Sequence, residues 1–219
     1  MASILTNQQI QMLRLIADTE LASSFYFSGG TALAYYYLQH RQSEDLDFFN
    51  EHEFDPQSVA ITLKSLKKKL KFTSIDFQHS FNRNMFFVRF SKQHILKLEF
   101  TYYPFEQVEK PQLIDGLLVD SAIDIAVNKL FTISQKPRGR DYFDLYCLIQ
   151  KYGYQLEQLR MMAKQKFDWH VDPLQLASRL NEVDNHLDDP IIMKKMQRHK
   201  LVKYFHQEAL KFKSDILSR

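Results

Sequence analysis

The stretch FYFSGGTALAYYYLQHRQSEDLDFF, residues 25–49, decides how the rest of the chain is read. It opens as a short strand over residues 25–28, turns at Gly29 and Gly30, continues as an aromatic helix over residues 31–39, and enters a second strand over residues 43–49. Side chains alternate across a strand, so Asp45 and Asp47 point to one side while Leu46 and Phe48 point to the other. Two carboxylates side by side are costly near apolar neighbours unless a cation neutralises them, and oxygen-only ligands suit Mg²⁺ or Mn²⁺. The glycines bring bare backbone N–H groups to a helix N-terminus, where an anionic group can approach closely. Phosphate and divalent metal are therefore expected at one place.

The same residues carry a resemblance. The string GGTALA, followed by HR, a serine and DLDFF, resembles the signature of the AbiE-type (AbiEii/AbiGii) abortive-infection toxins of the DNA polymerase β-like nucleotidyltransferase superfamily. There a Gly-Gly or Gly-Ser turn precedes an Asp-x-Asp strand by a short helix, and Gly30 and Asp45 have that arrangement, with Thr31, Arg41 and Ser43 at matching places. The resemblance implies an α/β (α+β) fold: a nucleotidyltransferase-type mixed sheet with flanking helices and a C-terminal helical part. It also implies that Gly29, Gly30, Thr31, Arg41 and Ser43 seat a nucleotide and that Asp45 and Asp47 hold Mg²⁺ or Mn²⁺.

Working outward, Thr6 suits the N-cap of a first helix reaching about Thr19, with Ile10, Leu13 and Ile16 at helical spacing. The helix over residues 31–39 is expected to be closed by His40 and Arg41, which favour its dipole. Asp55 and Pro56 open a helix expected to run to Leu70. Three strands are expected over residues 72–79, 85–90 and 95–103, with turns at residues 82–84 and 91–94. Residues 104–120 read as irregular, with a short strand over residues 117–119. Ser121 caps a helix with the stripe Ile123, Ala126 or Val127, Leu130 and Ile133. KPRGRDYFDLYCLI then gives a basic proline and glycine turn followed by another helix, and further helices come at about residues 156–166, 172–183 and 191 to the end, the last two joined at Asp188, Asp189 and Pro190. The natural division is an α/β catalytic part, residues 1–120, and a helical part, residues 121–219, that completes the active site and packs against it.

In KLEF, Lys97 and Glu99 share one strand face. In the superfamily a third metal-binding carboxylate comes from a neighbouring strand at about this point, and Glu99 takes that place; a solvent-facing Lys and Glu pair reads the same residues equally well. A helix lysine followed by RDxxDL again resembles the toxins, in which a lysine and an aspartate complete the active site, and Lys129 and Asp144 match them. Asp141 is the rival. Both aspartates also suit the start of their helix, Asp141 as N-cap and Asp144 at the third position.

Composition bounds the rest. The 219 residues are 45% hydrophobic and 25% charged, as in a folded globular protein. The 18 Phe and 11 Tyr read first as an aromatic core. One cysteine, Cys147, excludes an internal disulfide or multi-cysteine zinc site and fits a reducing cytoplasm. No signal peptide or membrane-length apolar run is evident, so a cytoplasmic protein without membrane association is expected. The net charge of +3 is too small to argue for nucleic acid by itself. Lysines cluster over residues 64–71 and 194–219, where solvated helix faces are the default reading over an RNA-binding surface. The histidines show no metal spacing, and no P-loop motif occurs.

The function expected is metal-dependent nucleotidyl transfer from a nucleoside triphosphate to an RNA, such as a tRNA end, or another hydroxyl acceptor. Asp45, Asp47 and Glu99 would hold metal, Lys129 would neutralise phosphate charge, and Asp144 would position the acceptor hydroxyl or take its proton. The resemblance adds a toxin–antitoxin or phage-defence setting with a separately encoded antitoxin. The competing expectation is a non-catalytic RNA- or protein-binding module on the same fold.

Overall fold

The computed structural model describes residues 4–187 and 198–217, with side chains as far as residue 212. The chain divides into two compact units, Met1–Ser121 and Ala122–Arg219. The expected joint at Asp188, Asp189 and Pro190, and the helix start at Ile191, lie outside the described residues.

The first unit opens with α1 (Asn7–Ala17), capped by Thr6 in a capping box with Gln9. One short turn of helix, α2 (Leu21–Ser24), leads into β1 (Tyr26–Ser28). The following helix starts at Gly29, two residues earlier than expected: α3 (Gly29–Ala32) runs directly into a π-helical stretch, Leu33–Leu38. It ends at Gln39, whose left-handed backbone stops the helix before His40 and Arg41 can act on its dipole. Next come β2 (Leu46–Asn50) and the helices α4 (Pro56–Ser65) and α5 (Lys67–Leu70), which break at Leu66 where one helix was expected. Strands β3 (Ser74–Ser80), β4 (Arg83–Arg89) and β5 (Ile95–Tyr102) form the meander. Its first turn sits at Phe81 and Asn82, so Arg83 and Asn84 belong to β4 rather than to the turn. A hairpin of β6 (Gln112–Ile114) and β7 (Leu117–Val119) closes the unit, in a region expected to hold only the second strand.

These seven strands form one sheet in the order β3-β4-β5-β2-β1-β7-β6. β2 lies parallel to β5 and antiparallel to β1, with Leu46 opposite Leu98, Asp47 opposite Glu99 and Phe48 opposite Phe100. Pleat alternation then separates the faces. Leu46, Phe48, Leu98 and Phe100 are buried on one side. There a ladder of rings crosses four strands: Phe27 to Phe48 at 5.1 Å, Phe48 to Phe100 at 5.0 Å and Phe86 to Phe100 at 5.9 Å between centroids. Part of the aromatic content of the sequence is spent here, as packing. Asp47 and Glu99 are left on the opposite face.

The second unit is helical: α6 (Ala122–Gln135), α7 (Gly139–Tyr152), α8 (Leu156–Phe167), α9 (Pro173–Asn181), a 3₁₀ turn (Val183–His186) and α10 (Arg198–Leu217). Its apolar stripes are buried, among them Leu130 and Ile133 of α6 and Leu201, Phe205, Ala209 and Phe212 of α10. Phe131 stacks on Phe167 at 4.0 Å, and Tyr142 donates to the Arg179 carbonyl at 2.5 Å. Asp124 and Lys166 form a buried ion pair at 2.6 Å.

Candidate active site

In the first unit the site is built at the end of β1 and the start of β2. Ser28 lies opposite Asp47, so the chain turns immediately after the Asp47 carboxylate has been passed. Gly29 has φ +73°, and a Cβ there would stand 2.5 Å from Asp47 Oδ2. Only glycine meets both conditions, a left-handed backbone and contact with a carboxylate. A Cβ on Gly30 would stand 2.2 Å from Arg41 Nη2. The two glycines thus make room for two different charged groups.

The segment that carries the first carboxylate is pinned from two sides. Thr31 Oγ1 is 2.7 Å from Ser43 Oγ and in short hydrogen-bond contact with the Asp45 carbonyl. A hydroxyl has one proton, so Thr31 donates to the carbonyl and accepts from Ser43. Gln9 donates to the carbonyls of Ser43 and Glu44 at 2.8 and 3.0 Å. Gln9 was not expected at the site; its only signal in the sequence is its place in the capping box.

The residues expected on the nucleotide therefore separate into two groups. Gly29, Gly30 and Ser43 are partly exposed, whereas Thr31 and Arg41 are buried, and Arg41 donates to the Gln42 carbonyl at 2.9 Å. Thr31 and Arg41 shape the turn from beneath.

Asp45 and Asp47 keep the shared face that alternation assigns them, and Asp45 is one-third exposed. Between β2 and β5 stands a cation. Lys97 Nζ is 3.0 Å from Asp45 Oδ2 and 3.1 Å from Glu99 Oε2. Glu99 is buried and also receives Arg83, Nε at 2.5 Å and Nη2 at 2.7 Å, in a two-pronged pair across the diagonal of β4 and β5. Burial raises the Glu99 pKa, but the Arg83 hydrogen bonds and the Lys97 charge outweigh it and hold the carboxyl below its ordinary value. For Lys97, burial lowers the pKa, while Asp45 and Glu99 together raise it above the ordinary lysine value. Both remain charged at neutral pH.

Hard oxygen donors beside an anion-accepting turn fit Mg²⁺ or Mn²⁺, and the seating of an ammonium between Asp45 and Glu99 shows that this face gathers positive charge. Asp45 and Asp47 fit such an ion directly. Glu99 does so only if Arg83 turns away, and among the described residues no three His, Cys, Asp or Glu side chains close on one point.

In the second unit the Lys129 ammonium lies 2.8 Å from Asp141 Oδ1 and 2.7 Å from Asp144 Oδ2. Arg138, not Asp141, is the N-cap of α7, and Asp141 occupies the third position, accepting from the Arg138 backbone N–H at 3.2 Å and from its Nε at 3.1 Å. Burial raises the Asp141 pKa, and Lys129 with Arg138 more than reverses this. Asp144 sits one turn further along, fully buried, where the helix start gives it no work. Its placement follows Lys129.

The profile of the nucleotidyl transferase AbiEii toxin of type IV toxin–antitoxin systems matches residues 11–209. An uncharacterized protein of Aquifex aeolicus (strain VF5) is 28% identical over 167 residues, covering 74% of this chain and 76% of its own length. Among solved structures, a protein of H. pylori proposed as a nucleotidyltransferase shares the fold with a TM-score of 0.65 at 20% identity, over 100% of this chain and 98% of that one. JHP933 from Helicobacter pylori does so at 0.62 and 21%, over 97% and 93%. The profile spans both carboxylate strands, the glycine turn and the Lys129 helix, and on that match the chain belongs to the AbiEii nucleotidyltransferase toxin family.

Proposed function

We propose that the chain is a divalent-metal-dependent nucleotidyltransferase that moves a nucleoside monophosphate from a triphosphate to a hydroxyl of RNA, a tRNA end being the first candidate. The observation that carries this reading is the approach of Gly29 to Asp47, with Asp45 and Glu99 on the same sheet face. An anion seat and a cation seat are thereby in contact.

In the reaction the acceptor oxygen forms a bond to the α-phosphorus, the bond from that phosphorus to the bridging oxygen breaks, pyrophosphate leaves, and the hydroxyl proton is lost to solvent or a base. A divalent ion held by Asp45 and Asp47, and by Glu99 if Arg83 releases it, would stabilise charge on the phosphate oxygens. The Gly29 and Gly30 backbone and the Ser43 hydroxyl seat the triphosphate, while Thr31, Arg41 and Gln9 fix those groups in place. Lys129 neutralises phosphate charge. Asp144, fully buried, serves as a positioning residue that fixes the Lys129 ammonium.

Family membership supports the role of a toxin acting in the cytoplasm and in phage defence, restrained by a cognate antitoxin. No helix among the described residues is long and apolar enough to cross a membrane. The exposed lysines Lys64, Lys67, Lys68, Lys69 and Lys71 suit an RNA backbone, and they would equally serve a binding module without catalysis. Incubation with each α-labelled nucleoside triphosphate, Mg²⁺ or Mn²⁺ and total tRNA separates the two. Label entering RNA supports transfer. Retention of RNA without label supports binding alone and removes the enzymatic reading.

A further inference from the structure

The carboxylate face carries its own cation, and its position assigns that cation a task. Lys97 precedes Glu99 by two residues on β5, so alternation brings its side chain back to the face of Asp47 and Glu99. Its ammonium bridges Asp45 at 3.0 Å and Glu99 at 3.1 Å, joining a carboxylate at the head of β2 to one within β5. A divalent ion shared by these two strands would need the same oxygens.

We propose that Lys97, lying between Asp45 and Glu99, permanently supplies the cation shared by β2 and β5, so that the site takes one divalent ion per chain, on Asp45 and Asp47, instead of two. This rests on the metal-assisted reading above and specifies it.

Ligand supply argues first. Divalent hard ions take oxygen ligands at close range and commonly use one or two carboxylates. Glu99 has no oxygen to give: Arg83 holds Oε1 at 2.5 Å and Oε2 at 2.7 Å, Lys97 shares Oε2, and Thr101 Oγ1 lies 3.2 Å from Oε1. A second metal would have to displace a two-pronged guanidinium and an ammonium from a buried carboxylate. Such charge-assisted pairs are among the stronger interactions a side chain makes. Charge argues the same way. Asp45, Asp47 and Glu99 carry three negative charges, all felt by Arg83, and Arg83 with Lys97 returns two positive ones. One divalent ion leaves this face with a net charge of plus one, ready for a triphosphate; a second would add two more charges with the Glu99 oxygens already taken. Lys97 is suited to the post because its stem is half-buried on β5 and fixes where the charge stands. An ammonium neutralises and donates hydrogen bonds, but it opens no coordination position for an incoming hydroxyl.

The test is Mn²⁺ binding to the full chain with a non-hydrolysable triphosphate analogue, read by electron paramagnetic resonance. Two Mn²⁺ ions sharing carboxylates, about 3.5–4 Å apart, give a spin-coupled spectrum that one ion cannot. The wild-type chain should bind one protein-held Mn²⁺ with an uncoupled spectrum, Lys97→Arg should do the same, and Arg83→Ala/Lys97→Ala should go from one ion to two with coupling. A coupled pair in the wild-type chain overturns the proposal, and does so whether or not the variants fold. A double variant that folds and still binds one ion also overturns it. Absence of Mn²⁺ from every protein, wild type included, would instead remove the metal-assisted reading on which the proposal stands.

Discussion

Gly29 is the residue at which fold and chemistry meet. Its left-handed backbone lets β1 turn into a helix, and its missing side chain lets Asp47 stand against the main chain. Gly29→Ala should cost both an unfavourable φ of about 1–2 kcal/mol and a collision with the carboxylate. We expect urea unfolding to show a loss of about 2–4 kcal/mol. Asp47→Ala in the same chain should return the collision part, so the double variant should be less destabilised than the sum of the two singles. Glu99 gives a second prediction at this scale. Its folded pKa is depressed, so its contribution is fully present above the ordinary value of 4.5 and is lost as pH falls through the lower folded value. At pH 7 Glu99→Gln should be less stable than the wild type by about 1–2 kcal/mol, at the modest end because Arg83 is half in solvent. The gap should narrow steadily in urea titrations taken below pH 4.5. A gap that widens on acidification would contradict the assignment of Arg83 and Lys97 as its stabilisers.

At the scale of elements, α1 does more than cover the sheet. Its capping box joins Thr6 to Gln9, and the Gln9 amide then continues to the Ser43 and Glu44 carbonyls, so the first turn of α1 holds the entry to β2. Thr6→Ala removes a cap and should cost about 1 kcal/mol of stability with nucleotidyl transfer nearly unchanged. Gln9→Ala removes the cap partner and both clamps on the carboxylate segment, and should lower transfer at least tenfold, about 1.4 kcal/mol in barrier. Parallel unfolding and transfer assays check the pair. Equal transfer by the two variants would show that α1 supports the fold alone. In the second unit, α7 separates its aspartates by one turn: Asp141 serves the helix start and Lys129, while Asp144 serves Lys129 without any capping work.

Across the whole molecule, the sequence made the sheet-forming logic readable where alternation is strong. DLDFF and KLEF each place carboxylates and apolar residues on opposite faces, and their register, Asp47 against Glu99, follows from burying Phe48 against Phe100. Other parts carry weaker signals. The β6–β7 hairpin is announced by Asp115-Gly116, both with positive φ as a tight hairpin turn demands, yet the exposed Gln112 and Leu113 gave β6 no alternating pattern. The π-helical turn at residues 33–38 has no compositional mark. A face could be assigned to Lys97 but not its partners, and Arg83 reads as part of a turn: which cation reaches Glu99 depends on the diagonal between β4 and β5, a property of the assembled sheet. The burial of Thr31 and Arg41 likewise arises from tertiary packing rather than from their spacing. The central claim is that the β2 carboxylates carry nucleotidyl transfer, and its most direct measurement is label transfer to RNA by the wild-type chain and by Asp45→Asn and Asp47→Asn, substitutions that keep shape and remove charge. The wild type should transfer label, and each folded variant should lose at least a thousandfold in rate, about 4 kcal/mol. Variants that label RNA as fast as the wild type would contradict it.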